Sequence, residues 1–372
     1  MNNIKIPVNE PLLNGNEKKY LLRCFDEGYI SSTGKYINKF ESEFAKKVNR
    51  KYAIAVSNGT VALQLAFDSL NIQKNDEIIL PSFTIISCIL PIIRIGAKAI
   101  LVDSDIKTWN MDVNKIEPLI TKKTKAILVP HIYGLPVDMD PLIKIAKKYK
   151  LKLVEDSAEV LGLKYKNRLC GSFGDISTFS FYANKHITTG EGGMIVTNNK
   201  KIAERCFSLR NIFFNKFKRF VHHGIGWNAR LTNIQASIGI AQLERLDEFV
   251  KIKRNIGDIY NKGLINNENY SKPLESTSYG KNIYWVYGVL ITKSRLSVNK
   301  IVKKLRKAGI ETRPFFWPLH QQPILKKLGL FKNIKLPVSE YLSKNGFYLP
   351  SGLSLSKKQQ AYVIKNFNKI IS

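Results

Sequence analysis

The first half of the chain repeats one pattern: a short apolar run, a turn of small residues, then a helical period. "YAIAV" (52–56) is followed by "SNGT" and by helical spacing from Val61 to Leu70. "DEIILP" leads into an apolar segment around Ile85 to Ile95, and "KAILVD", "KAILVPHIYG" and "LKLVED" follow as buried strands. Between the last two, "DMDPLIKIAKKYK" sets Leu142, Ile143, Ile145 and Ala146 on one helical face. Apolar strands alternating with helices at βαβ spacing leave few architectures open. The pattern predicts an α/β chain whose mostly parallel sheet is sandwiched by helices. "ISTFSFY" and "GMIVTN" read as a strand pair flanking the loop "ANKHITTGEG".

The character changes after a long amphipathic stretch, "RLTNIQASIGIAQLERLDEFVKIKRNIGDIYNKGL". A loop-rich segment comes next, then the strand "IYWVYGVLI", the helix "VNKIVKKLRKAGI", the segment "ETRPFFWPLHQQP" and a terminal helix. This reads as a large domain over 1–250 and a smaller C-terminal α+β domain over 251–372, a division that suits 372 residues.

The formal net charge of +30 admits nucleic-acid or membrane binding. The charge is spread in pairs such as Lys122-Lys123 and Lys303-Lys304, without a basic block or tail. A Lys-rich composition is the simpler reading, and no nucleic-acid partner is expected. The apolar run "IISCILPIIRIGAKAILV" is broken by Pro91, Arg94, Gly96 and Lys98, so it does not insert into a membrane. "MNNIKIPVNEPLL" has no signal-peptide core, and Cys24, Cys88, Cys170 and Cys206 form no C-x-x-C pair. The expectation is a reduced cytoplasm, with neither a disulfide framework nor a metal site.

Three stretches carry chemistry. "SNGTVAL" follows a strand and opens a helix. Gly59 allows close backbone approach, Thr60 adds a hydroxyl, and the free N–H groups of a first helical turn suit a phosphate. An ordinary N-cap by Ser57 or Asn58 is the plainer alternative. In "VEDSAE", Asp156 stands where open α/β sheets bind ligands, with Glu159 one helical turn further on. In "FSFYANKHITTGEGG", Ser180 and Lys185 end a strand before a glycine cluster. A desolvated lysine loses its proton readily and can form a Schiff base. A phosphate cradle, an acid for a ring nitrogen and a lysine, in that order, are the parts of a pyridoxal phosphate site.

With these stretches in view, the chain resembles the sugar-nucleotide aminotransferase family, a branch of the fold type I (aspartate-aminotransferase) enzymes. The resemblance runs from "GYISSTGKYINKFESEFAKK" through "HIYGLPVDMDPL" to "GWNARLTNIQASIG" and "RPFFWPLHQQP". The version "FSFYANK…ITTGEGGM" is most similar to perosamine synthase-like members, which act on nucleotide-linked 4-keto-6-deoxy sugars.

The resemblance implies that Lys185 carries the cofactor and moves protons. It implies that Asp156 pairs with the ring nitrogen, and that Ser180, Gly59 and Thr60 bind the phosphate. Asn228 would reach the phosphate of the other subunit, making a homodimer with a shared site. His320 and Arg313 would meet the nucleotide sugar, with glutamate as amino donor. The favoured reaction turns GDP-4-keto-6-deoxymannose into its 4-amino sugar for a surface glycan. A 3-aminotransferase acting on a dTDP- or UDP-linked keto sugar is an alternative.

Two positions depart from the family's common pattern. Glu159 stands where His or Gln is frequent, near the cofactor's phenolic oxygen. A carboxylate there would repel a phenolate by about 1–4 kcal/mol, so Glu159 is expected to be protonated or to face the substrate. Ile85 stands where an aromatic often stacks on the ring, forgoing about 0.5–1.5 kcal/mol. Relatives that remove a C3 hydroxyl, the sugar 3-dehydratases, read "HH" where this chain reads Lys185-His186. The intact lysine therefore favours amine transfer, with His186 a bystander.

Overall fold

The computed structural model describes residues 6–214, 218 and 220–372; the first five residues of the N-terminal stretch read above lie outside these. The strands of the larger part are β1 (Tyr52–Val56), β2 (Glu77–Pro81), β3 (Lys98–Val102), β4 (Thr124–Pro130), β5 (Lys152–Asp156), a β6–β7 hairpin (Lys164–Tyr165, Arg168–Leu169), β8 (Ile176–Ser180) and β9 (Gly193–Thr197). Seven of them form one sheet in the order β1-β9-β8-β5-β4-β2-β3. β9 runs antiparallel to both neighbours, and the other pairings are parallel. The sheet is thus mixed and mostly parallel, with helices on both faces, as the alternation predicts.

The apolar runs explain the layering. Along β4 and β5, Ile127, Val129 and Leu153 join one core with Phe40, Phe44, Leu142 and Phe249. Ala126, Leu128 and Val154 join a second core on the opposite face, with Leu63, Ala66, Phe67 and Ile92. Side chains alternate across a strand, so an apolar run supplies both cores at once.

The same alternation separates the two acids that end β5. Asp156 faces the cleft, while Glu155 is fully buried beneath it. Glu155 accepts from His131 Nε2 at 3.0 Å, from the N–H groups of Gly171, Phe173 and Gly174, and from Ser177 Oγ. Burial alone would raise its pKa, but these bonds and the Arg50 charge outweigh that and leave it at about 2. The neighbouring imidazole takes the Val137 N–H on Nδ1 at 3.0 Å. This set of bonds braces the floor of the cleft.

The smaller part holds β10 (Tyr270–Ser271), β11 (Tyr287–Ile291), β12 (Arg313–Pro314) and β13 (Gly346–Leu349) in an antiparallel sheet ordered β10-β11-β13-β12. Its core joins Tyr260, Tyr287, Leu305, Phe347 and Phe367. The helix Leu246–Gly263 runs across position 250 and contributes to both cores, through Phe249 on one side and Tyr260 on the other. The N-terminal segment is tied to the same sheet: Ile6 pairs with Ile310, and Val8 donates to Glu311 Oε2 and accepts from Ser351 N. A fourth apolar cluster, including Phe83, Trp109, Tyr133, Trp285 and Phe315, joins the two parts beside the cleft. Among the described residues no helix is long and apolar enough to cross a membrane.

Candidate active site

A cleft of about 590 Å³ opens at the C-terminal ends of the parallel strands. Open α/β sheets place ligands at this edge. Gly59, Thr60, Ile85, Asp156, Glu159, Ser180, Lys185 and Arg313 all line it. Residues spread over 255 positions of sequence (59 to 313) therefore meet in one cavity, with Trp285, Tyr348 and Phe316 closing the small-domain side.

One wall is the start of the helix Gly59–Ser69. Asn58, extended at φ −169°, caps it by accepting from the Val61 N–H at 2.9 Å. The cap offered as the alternative for Ser57 or Asn58 is thus made by Asn58, which takes the Val61 N–H and leaves Gly59 and Thr60 on the cleft wall. Gly59 packs so tightly on Ser180 that a Cβ on it would lie 2.8 Å from the serine Cβ. The Thr60 hydroxyl bonds to Ser87 Oγ at 2.9 Å. Free helical N–H groups and three hydroxyls make an anion cradle. Ile85 lines the same cleft, 43% exposed.

Lys185 is presented by a folded-back loop. Phe181 N–H donates to the Gly192 carbonyl at 2.8 Å, and the Phe181 carbonyl accepts from Thr189 N and Thr188 Oγ1. Buried Phe181 and Ile187 pin the loop from below, while the tight turn Tyr182–Lys185 lifts the lysine into the cleft. Its amine lies 3.7 Å from Glu159 Oε1 and 3.8 Å above the indole ring of Trp285. Burial pulls the amine below its ordinary pKa, against the opposing pull of Glu159 and Asp156.

Asp156 accepts the Ala158 N–H on Oδ1 at 3.1 Å, and the Cys88 sulfur sits 3.5 Å from Oδ2. Burial raises its carboxyl, with the Ala158 bond and Lys185 opposing the rise. Glu159 accepts the Tyr133 N–H on Oε2 at 2.8 Å, and burial pushes it up to about 7. Of the two alternatives expected for Glu159, a proton on the carboxyl or a side chain turned to the substrate, the raised pKa is in keeping with the first, and the carboxyl itself faces the Lys185 amine. Tyr133 adopts φ +55°, rare for an aromatic, and this aims its N–H at the carboxylate.

Three of the residues singled out above lie outside this cleft. That is in keeping for Asn228, expected to serve the other subunit, and for His186, expected to be a bystander; only His320 departs from its expected place. Asn228 lines a smaller adjoining cavity with Thr60, Arg94 and Trp227, outside the main cleft. His320 does not line the cleft. It is buried, with Nδ1 bonded to Ser82 Oγ at 2.7 Å and Nε2 to Glu340 at 3.0 Å, so both ring nitrogens are engaged within the protein. His186 is packed inside, and burial drives its imidazole down to about 3.

Trp285, Tyr133, Tyr348 and Phe316 carry no functional signal of their own in the sequence. Trp285 reads as one more core residue of "IYWVYGVLI", and its role depends on contacts about 100 positions away (Asn184 to Trp285, 101). The one local signal is in "HIYG". Gly134, at φ +98°, has no room for a Cβ, which would lie 2.6 Å from the Trp285 nitrogen.

A lysine amine, an inward-facing aspartate and an anion cradle at the carboxyl edge of such a sheet define a pyridoxal phosphate-dependent aminotransferase. The chain belongs to the DegT/DnrJ/EryC1/StrS aminotransferase family, whose pattern it matches over residues 11–368. It is 44% identical to a GDP-perosamine synthase of Escherichia coli O157:H7, over 99% of each chain. Among solved structures it is similar to Helicobacter pylori PseC, an aminotransferase of pseudoaminic acid biosynthesis (TM-score 0.93, 25% identity, 98% and 99% of the two chains). It is also similar to the E. coli GDP-4-keto-6-deoxy-D-mannose-3-dehydratase with bound hydrated pyridoxal phosphate (TM-score 0.89, 26% identity, 99% and 100%).

The residues present fit this cofactor. The close Gly59–Ser180 contact leaves no room for a side chain at Gly59, so an anion at the helix start would meet backbone and hydroxyl groups there. Beside Asp156 and Lys185, the hydroxyl of Thr178 is buried without a partner in the protein, leaving it free for a ligand. The donor set holds one group of each required kind: a lysine amine, a carboxylate and phosphate-binding N–H and O–H groups.

Proposed function

We propose that this enzyme moves the amino group of glutamate to C4 of a nucleotide-linked 4-keto-6-deoxyhexose, GDP-4-keto-6-deoxymannose being the favoured substrate. The observation that carries amine transfer is the Lys185 amine standing free in the cleft between Glu159 and the Trp285 ring. The choice of GDP sugar and of C4 is supported by the identity to a GDP-perosamine synthase.

Pyridoxal phosphate, when bound, supplies a carbonyl that exchanges amines and a ring that accepts electrons. The chain's residues supply the rest. Gly59, Thr60 and Ser180 hold the phosphate, and Asp156 keeps a proton on the ring nitrogen. Lys185 anchors the cofactor, then takes and returns the proton that shifts between carbon atoms. Its lowered pKa keeps a share of the amine neutral, as a base must be. Glu159 holds or releases a proton beside that amine. Ile85 covers the ring. Arg313, half exposed at the mouth, is the site's cation for a diphosphate or a glutamate carboxylate. Glutamate leaves as 2-oxoglutarate, and the keto oxygen of the sugar is exchanged for the amine.

The reading includes a homodimer in which the partner's Asn228 completes the phosphate site. Beside Asn228, Ile225 is 92% exposed and Trp227 46%, an apolar surface suited to cover by a second subunit. It also includes a cytoplasmic location, in keeping with four buried, unpaired cysteines, and a product destined for a surface glycan. In this reading the large unit, to about residue 250, binds the cofactor and the small unit meets the sugar.

A 3-dehydratase is the second reading, favoured by the likeness to the E. coli enzyme. Incubation with glutamate and GDP-, UDP- or dTDP-linked 4-keto-6-deoxy sugars, followed by mass analysis, decides between them. Gain of an amine on the GDP sugar is the expected result. Loss of a hydroxyl, or no product, overturns it.

A further inference from the structure

The family reading assigns Lys185 its bonded state; the cleft also shows where the free amine goes. The Lys185 nitrogen lies 3.8 Å over the centre of the Trp285 ring, within cation–π range. Trp285 is itself held at two further points. Its Nε1 donates to the carbonyl of Asn184, the residue before the lysine, at 2.8 Å. Its own carbonyl accepts from the buried Lys253 amine at 2.8 Å, which also donates to the Ser351 carbonyl. The indole, 4% exposed, packs against Tyr133 and closes one side of the cleft.

We propose that Trp285 is a positioning residue whose indole face holds the Lys185 ammonium, opposite Glu159, whenever that amine is not bonded to the cofactor. The proposal rests on Lys185 being the cofactor's anchor. In a two-stage amine transfer the lysine must leave and return once per cycle. A long, flexible side chain released into an open cleft would sample many rotamers, each delaying its return. An aromatic face restrains it without forming a hydrogen bond that must be broken. The attraction acts on the charged form only, so it raises the amine's pKa and offsets part of the burial effect. The other groups facing the amine are Glu159, Asp156 and Cys88, with His186 behind it. Arg313 and Tyr348 line the same cleft from the small sheet.

The test uses the full-length protein freed of cofactor. Acetylation of Lys185 by acetic anhydride is followed against pH by peptide mass spectrometry, with Lys185→Ala identifying the peptide. In Trp285→Leu the midpoint should fall by about half a unit to one and a half units, and Trp285→Phe should restore most of it. An unchanged midpoint in a folded Trp285→Leu protein overturns the proposal. If that variant does not fold, the indole fluorescence of wild type and of Lys185→Met decides. A difference that titrates with the acetylation midpoint is expected, and identical pH profiles overturn it. Failure of wild type to turn yellow with pyridoxal phosphate would sink the aminotransferase reading and leave this measurement standing.

Discussion

Glu159 Oε1 stands 3.7 Å from the Lys185 amine, inside a pocket that disfavours the charge on both. The distance is too long for a hydrogen bond and short enough for strong Coulombic coupling. Each group thus sets the other's protonation. In Glu159→Gln the amide still accepts the Tyr133 N–H, so geometry and cofactor affinity should hold within about threefold. The pH profile of kcat/KM should lose an ionisation expected at about 7 in the wild type. A profile that keeps it would assign that step to another group.

Lys185→Ala removes the amine proposed to anchor the cofactor. The protein should lose its yellow band, and amine transfer should fall by at least about a hundredfold, the scale of general acid–base help alone. Lys185→His should also lose amine transfer. Absorbance spectra and a 2-oxoglutarate assay check both.

At Gly59 the backbone meets Ser180 closely enough that an added Cβ falls at 2.8 Å. Gly59→Ala must push the helix start away from the β8 end. Overpacking of this kind costs about 1–3 kcal/mol, here expressed as a roughly 5- to 150-fold rise in the cofactor Kd. Equilibrium titration of the cofactor-free protein measures it. An unchanged Kd would show that the cradle does not depend on this contact.

His186 has no hydrogen-bond partner at either ring nitrogen and stays neutral when folded, down to about pH 3. Unfolded, it takes up a proton below about pH 6.5. The unfolded state therefore binds more protons between these values, and this contribution to stability is lost as pH falls from about 6.5 toward 3. At pH 5 the loss is about 2 kcal/mol. His186→Asn should remove this slope from the difference between urea curves at pH 7.5 and 5, while leaving the yellow band and amine transfer near wild type.

Arg313 lies at the cleft mouth with its guanidinium half exposed. Arg313→Met should raise KM for the anionic substrate it meets by about tenfold or more, with a smaller change in kcat. Steady-state kinetics with each substrate varied in turn shows whether the sugar nucleotide or glutamate is affected.

The layout of the large unit was legible because its signals are local. "KAILVP" and "LKLVED" carry both cores in one apolar run, and Asn58, Asp156 and Lys185 each stand at or after the end of a strand that leads to the same edge. The far wall was not legible. Trp285 and Tyr133 matter through contacts that exist only once distant segments meet, and nothing in "IYWVYG" separates a core aromatic from one that faces a lysine. His320 shows the converse. A histidine in a motif-like segment reads as a ligand, yet Ser82 and Glu340, 238 and 20 positions away, take both its nitrogens. Such partners cannot be seen in the residues around it.

The N-terminal segment has a consequence for how the molecule is built in time. Ile6 and Val8 are bonded to Gly309, Glu311 and Ser351, all of which leave the ribosome long after them. Asn9 also reaches the carbonyl of Asn184, beside the reactive lysine, at 3.4 Å. During synthesis the large sheet can form while this ribbon still hangs free. The cleft gains its second wall only after β13 emerges and the ribbon of Ile6 and Val8 is tied to the small sheet. A ribosome-bound or prematurely ended chain would thus hold most of the anion cradle but not the tryptophan face opposite, and the finished catalyst is a late product of its own assembly.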